Sequence, residues 1–242
     1  MSRSSTLTDT HVRDFYASGG GDRMFSRAHA TPAILDYLER EERYVKEVFR
    51  QLSPRHLFEV GCGTGSYLDW AERHRVDYDG VDLVSHLVEA GRKRLTGSAR
   101  TRQKLHVGSC REVAALFDAE GLKERARDVV VLFPFNCFGN VAEPARVVHS
   151  LKHAGARVLV SGFVPTDEAT GVRREYYLKN GFTRLTDTRD ELGVLFTSAE
   201  GLHSWALEPA VLERLFSREG FRLAHAEALG PVARAALFEA KT

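Results

Sequence analysis

The chain has 242 residues, 43% hydrophobic and 28% charged, with 34 Lys and Arg against 33 Asp and Glu. This apolar content excludes a disordered chain. A net charge of +1 excludes the global basic field that captures nucleic acid by counterion release. No apolar run reaches the ~18 residues of a membrane span, and residues 1–15 lack the apolar core of a secretory leader. Cys62, Cys110 and Cys137 are odd in number and form no C-x-x-C pair. They read as reduced thiols in a cytoplasmic chain, and no metal site is expected.

Residues 19–22 read GGGD, a flexible joint behind a polar N-terminal arm. Apolar residues at helical spacing predict a helix over 31–51, opened by Thr31-Pro32 and stopped by Ser53-Pro54. A repeating grammar follows. Strands are expected at 56–60, 78–83, 104–107, 128–133 and 156–162, with helices at 66–74, 85–95, 111–117 and 143–153 between them. The run DVVVLF at 128–133 has the unbroken hydrophobicity of a strand buried on both faces of a parallel sheet. The fold class is therefore α/β, a doubly wound and mostly parallel sheet. After Pro165 the rhythm changes: 173–178 and 182–188 read as a hairpin around Asn180-Gly181, with further strands at 193–198 and 203–207. A helix over 210–219 and strands at 221–229 and 234–240 close the chain. The expected organisation is an arm and helix over 1–52, a main domain over 53–242 and a small antiparallel insertion over 166–208.

The informative turn is 59–65, Glu-Val-Gly-Cys-Gly-Thr-Gly, between a strand and a helix, where open α/β sheets bind ligands. A dinucleotide fingerprint, G-x-G-x-x-G, needs glycine at 66, where this chain has Ser66. That spacing disfavours a dehydrogenase. A second acid, Asp82, ends the next strand, placed to accept ribose hydroxyls.

At these residues the chain resembles the class I S-adenosylmethionine-dependent methyltransferases, from about Arg50 to the C-terminus. Residues 59–65 match the first motif, Asp82 the ribose-binding acid, and 151–155 (LKHAG) the turn before strand five. The resemblance implies a seven-stranded sheet in which the last strand lies antiparallel between strands five and six. It implies S-adenosylmethionine as cofactor. Gly61, Gly63 and Gly65 would meet its methionine and ribose part. Glu59 would orient the turn or reach the ammonium through water, Asp82 would take the ribose, and Leu83 would pack on adenine. Cys62, Ser109, Cys110 and Phe133 complete the expected cofactor residues. The family often has an acid after strand three, where this chain has Gly108-Ser109-Cys110.

After strand four comes FPFNCFGN at 133–140, which in the family faces the methyl acceptor. Asn136 is followed by Cys137 rather than the Pro-Pro of base-methylating enzymes, and the rings of Phe133, Phe135 and Phe138 offer apolar walls. Methyl transfer is an in-line displacement that needs alignment and exclusion of water, with a base only for a protonated acceptor. His203, His29, Asn136 and Tyr16 are the candidate catalytic residues, with Arg27 beside them. Arg173, Arg174, Lys179 and Arg184 in the expected hairpin read either as contacts to an anionic substrate or as edge protection. The function expected is methyl transfer to a small-molecule acceptor of natural-product or secondary metabolism. Alternatives are methylation of RNA, DNA or protein, and a non-catalytic cofactor-binding subunit. The arm and the hairpin would form lid and roof, and self-association through the hairpin is the alternative role.

Overall fold

A computed structural model describes residues 7–20, 24, 27–95 and 102–241. The expected joint at 19–22 is therefore described at Gly19 and Gly20, while Gly21 and Asp22 lie outside the described residues, as does the side chain of Arg27.

Helix α1 (Asp9–Phe15) is followed by α2 (Pro32–Leu52), β1 (His56–Val60), α3 (Leu68–His74), β2 (Asp77–Asp82), α4 (Ser85–Arg92) and β3 (Gln103–Val107). Then come α5 (Val113–Ala119), β4 (Val129–Phe133), α6 (Pro144–Ala154) and β5 (Arg157–Phe163). From α2 onward these strands and helices fall where the apolar pattern placed them to within one or two residues, except that α4 ends at Arg92, three residues short of the expected 95. The sheet has the order β3-β2-β1-β4-β5-β10-β9, closed by α8 (Pro209–Arg218), β9 (Phe221–Ala228) and β10 (Ala233–Ala240). β10 runs antiparallel to both β5 and β9, and the other pairs are parallel. The last strand is thus inserted between the fifth and the sixth, as the resemblance implies.

Alternate residues of the central strands feed two cores. Leu57, Val130, Leu132 and Leu159 face α2, whereas Phe58, Val131, Phe133 and Val160 face α5, α6 and α8. In α2, the Thr31 hydroxyl caps the helix by accepting from Ile34 N, and Ser53 ends it at φ 49°. Its buried stripe is Ile34, Tyr37, Glu41, Tyr44, Val45, Val48 and Phe49. One acid lies inside that stripe.

The expected hairpin is corrected at its first strand. Residues 173–178 belong to a helix, α7 (Asp167–Lys179), whose Thr166 hydroxyl accepts from Ala169 N. Asn180-Gly181 ends this helix instead of turning a hairpin. Phe182 N donates to Tyr177 O and Gly181 N to Leu178 O, with Gly181 at φ 79°, which is the Schellman pattern. The ring of Phe182 packs 6.1 Å from that of Tyr177, supplying the usual apolar contact across such a cap. A three-stranded antiparallel sheet follows, β6 (Thr186–Asp190), β7 (Gly193–Thr197) and β8 (His203–Leu207). The helix buries Ala169, Arg173, Tyr176 and Tyr177 on one face. Arg173 is fully buried, donating to Val194 O and Ser204 O with its guanidinium 4.7 Å from the Phe196 ring centroid. It does not wait for an anion. Lys179 donates to Ala30 O, and Arg174 pairs with Asp187.

On β2, Asp79 is fully buried beside His56, His106 and Arg102. Asp79, His106 and Glu120 bring ligand-type atoms within 4.8 Å of one another. Arg102 and Lys104 each lie 2.5 Å from Glu120, so protein cations already occupy that cluster. The histidines and Arg102 hold the Asp79 carboxyl below its usual range despite burial.

Candidate functional site

β1 runs into a turn in which Gly61, Gly63 and Gly65 all have positive φ, at 70°, 52° and 90°. A side chain at 61 would also clash, because its Cβ would lie 2.6 Å from Cys137 Sγ. The turn is held by acids on two sides. Asp82, at the end of β2, accepts from Gly63 N through one oxygen and from Val84 N through the other, both at 2.8 Å. Glu59 is fully buried behind the turn, and its Oε2 accepts from Tyr67 N at 3.0 Å and Tyr78 Oη at 2.5 Å. Burial pushes the Glu59 carboxyl up to about 8, with those two bonds opposing the rise. Asp82 and Glu41 are likewise raised by burial.

The turn forms the floor of a cavity of about 800 Å³ at the C-terminal edge of the sheet. One end is lined by Gly61, Asp82, Leu83, Val84, Gly108 and Cys110, from the ends of β1, β2 and β3. The other is lined by Met24, Ala30, Ile34, Leu38, Phe135 and Tyr176. That end is apolar and held together by contacts of its own: Tyr176 donates to Met24 O at 2.6 Å, and the Phe135 ring lies tilted against Tyr37 at 5.4 Å and edge-on to Tyr176 at 5.8 Å. Phe135 and Asn136 both have left-handed backbones, at φ 39° and 58°. This bend aims Phe135 N at Glu41 Oε2, 2.7 Å away. Glu41 Oε1 accepts from Tyr67 Oη at 2.9 Å, so this acid of α2 joins the glycine turn to the segment after β4.

From the N-terminal side, Asp9, Val12 and Tyr16 line the cavity. Asp9 fastens α1 across the sheet edge, accepting from Ser109 Oγ at 2.7 Å and from Arg111 at 2.6 Å. Arg111 also pairs with Glu143. Phe15 is buried against Phe182, their rings 5.6 Å apart. The lining acids are Asp9, Glu41, Glu42, Asp69 and Asp82, and the one lining cation among the described residues, Arg73, is bonded to Glu42 at 3.1 Å. Asp9 and Asp69 are likewise paired, with Arg111 and Arg94, which leaves Glu41 and Asp82 as the lining acids with no ion pair among the described residues.

No protein-family model and no curated protein matches the chain. Solved structures do. Magnesium protoporphyrin IX methyltransferase from Synechocystis PCC 6803, with S-adenosylmethionine bound, has a TM-score of 0.62 at 12% identity, over 99% of this chain and 100% of that one. The chain has the class I S-adenosylmethionine-dependent methyltransferase fold. A candidate methyltransferase from Thermobifida fusca YX is similar at a TM-score of 0.61 and 13% identity, over 99% and 97%. The PH0226 protein from Pyrococcus horikoshii OT3 is similar at 0.62 and 13%, over 90% and 93%.

Within this methyltransferase fold, the residues singled out from sequence separate into two groups. Gly61, Asp82, Leu83, Cys110 and Tyr16 line the cavity, and Gly63 and Gly65 shape its turn. Glu59 and Cys62 lie beneath the turn with no exposed surface. Ser109 is spent on a capping box with Glu112 and on its bond to Asp9. Phe133 is fully buried, its ring 5.2 Å from Phe138 in the core behind β4. Asn136 is a clip: Nδ2 donates to Trp205 O and Ser204 Oγ, and Oδ1 accepts from Phe163 N. Neither His203, on β8, nor His29, in the short turn Arg27–His29, lines the cavity. Burial depresses the His203 imidazole, aided by His11.

Sequence reasoning missed Glu41 and Asp9. Glu41 stands seven residues after Ile34, on the apolar face of a predicted helix. An acid in that stripe is a readable signal, because a buried carboxylate needs partners. Asp9 had no signal of its own.

Proposed function

We propose that the chain is an S-adenosylmethionine-dependent methyltransferase acting on a small-molecule acceptor. The observation that carries this reading is Asp82, at the lip of the cavity with both oxygens fixed by backbone amides of the glycine turn and of residue 84. A carboxylate held this way is pre-oriented toward a vicinal diol, and the lining acids left without an ion pair suit a ligand bearing a sulfonium and an ammonium. The backbone of 61–65 would hold the methionine and ribose, Asp82 the ribose hydroxyls, and Leu83 the adenine face. The bound cofactor supplies an electrophilic methyl group. The chain supplies alignment and a dry site: Tyr16, Phe135 and Tyr176 wall the acceptor end. Burial raises the Tyr16 phenol well above its ordinary range, so it serves as a hydrogen-bond donor and not as a base. Glu41 is the acid nearest that end through its bond to Phe135 N.

A cavity of about 800 Å³ is within the range of small-molecule sites and is crossed by α1, which supports a small acceptor in place of a polymer. Calorimetry tests the cofactor: one S-adenosylmethionine per chain and no binding of NAD(P) is the expected result. Binding of NAD(P) alone sinks the reading. Release of S-adenosylhomocysteine with protein or RNA substrates, and none with small acceptors, refutes the small-molecule part. Tight binding without turnover supports instead a non-catalytic subunit.

The arm is read as a lid closed by Asp9. Asp9→Ala leaves Arg111 its bond to Glu143 but frees α1 from the loop after β3. Charge-assisted bonds contribute roughly 1.5–3 kcal/mol each. Cofactor release measured by stopped flow should therefore quicken at least about tenfold, with the circular dichroism spectrum unchanged. An unaltered release rate removes the lid role.

A further inference from the structure

On the outer face of α6, away from the cavity, His149 and His153 sit four residues apart with their Nε2 atoms 3.1 Å from each other. Their ring centroids are 4.6 Å apart. On the far side of the first ring, His149 Nδ1 lies 3.0 Å from Oε2 of Glu219, the residue that ends α8. The His149 side chain is 59% exposed, so the pair is open to solvent.

The chemistry of the three groups sets the tautomer. A carboxylate only accepts, so His149 keeps its proton on Nδ1, directed at Glu219, and the neutral ring presents a bare lone pair at Nε2. That lone pair accepts the Nε2–H of His153, a hydrogen bond that an ion replaces once His153 carries its proton on Nδ1 instead. Positions i and i+4 are neighbours on a helix, and two histidines at this spacing are the pair that helical zinc motifs use. Bonds of 2.0–2.1 Å to one ion, meeting at right or tetrahedral angles, place two ligand nitrogens roughly 2.9–3.4 Å apart. The observed separation falls inside that window. A carboxylate behind a liganding histidine fixes the ring and raises its basicity, which is the position Glu219 holds. The cluster at Asp79 differs, because Arg102 and Lys104 already supply its cations.

We propose that His149 and His153 form a bidentate site for a divalent transition ion of the zinc or nickel class, with Glu219 orienting His149. Imidazole donors select this class over magnesium or calcium, and water completes the coordination. A bound ion clamps one turn of α6, and Glu219 at the end of α8 backs it through His149.

The test titrates the full-length protein with Ni²⁺ and with Zn²⁺ at neutral pH, by calorimetry and by thermal unfolding. Saturable one-to-one binding and an ion-dependent rise in Tm are expected. His149→Gln and His153→Gln should each weaken binding at least tenfold and remove the Tm rise. Glu219→Gln should weaken it about tenfold while both ligands remain. With Co²⁺ bound, ring protons of both histidines should shift in NMR spectra. Wild-type affinity in either single histidine variant overturns the proposal, as does the lack of a saturable site in the wild type. Neither result bears on the methyltransferase reading, because none of the three residues lines the cavity.

Discussion

Asp82→Ala is expected to weaken S-adenosylmethionine binding by at least about a hundredfold. Four bonds depend on this one carboxylate: those from Gly63 N and Val84 N, and the two it is read to accept from the ribose. A hydrogen bond to a charged group contributes about 1.5–3 kcal/mol, and each 1.4 kcal/mol is tenfold in affinity, so the ribose contact alone accounts for ten- to a hundredfold. Loss of the two backbone anchors adds to it, because the glycine turn then has to be ordered on binding. Asp82→Asn is the sharper comparison. Each carboxylate oxygen accepts from a backbone N–H, whereas an amide has one oxygen, so its NH₂ must face one of those donors. The asparagine variant should therefore be nearly as impaired as the alanine one, despite its matching shape. Calorimetry decides both, and affinity within threefold of wild type in Asp82→Ala would sink the role assigned to this residue.

The parts of the molecule that were legible in sequence are those whose signal is local. β1 and β4 announce themselves by short apolar runs, and the glycine turn by its spacing, because a parallel sheet buries both faces and a turn with three positive-φ residues tolerates little else. The helix α7 was not legible for a definite reason. Its buried face includes Arg173, which counts as polar in any periodicity yet is fully covered, with carbonyls for its nitrogens and aromatic rings around its guanidinium. With that position counted as polar, 173–178 shows no helical stripe and Asn180-Gly181 reads as a hairpin turn. The same problem governs the candidate catalytic residues. Whether His203, His29 or Asn136 faces the cavity depends on tertiary contacts that no spacing reveals: Asn136 turns its amide to Trp205 and Phe163, far away in the chain. Glu41 shows the converse. The chemistry of a buried acid was visible in α2, but the partners that make it a bridge, Phe135 N and Tyr67 Oη, come from two other segments.

The buried acid behind the turn makes stability depend on pH in a direction opposite to that of most carboxylates. Glu59 ionises at about 8 in the folded protein, and near the ordinary carboxyl range when unfolded. Between these values the folded state holds one more proton than the unfolded state, so the stability contributed by this group falls as pH rises and levels off above 8. At 1.36 kcal/mol per unit, the full swing is on the order of 3–5 kcal/mol. Asp79, held low by His106, His56 and Arg102, works in the other sense, and its loss belongs at acidic pH. The two are separated by taking a difference. In Glu59→Gln the amide oxygen still accepts from Tyr67 N and Tyr78 Oη while no charge forms. The difference in unfolding free energy between variant and wild type, measured by urea titration from pH 5 to pH 9, should move steadily toward the variant up to about pH 8. A flat difference would mean that Glu59 is ionised throughout and that its charge is met by a partner within the fold. The consequence for function follows from position. Glu59 holds the first residues of α3 through Tyr67 N, so its ionisation loosens the turn that Asp82 pins from the other side, and cofactor affinity in the wild type should decline above pH 8 while that of Glu59→Gln stays level.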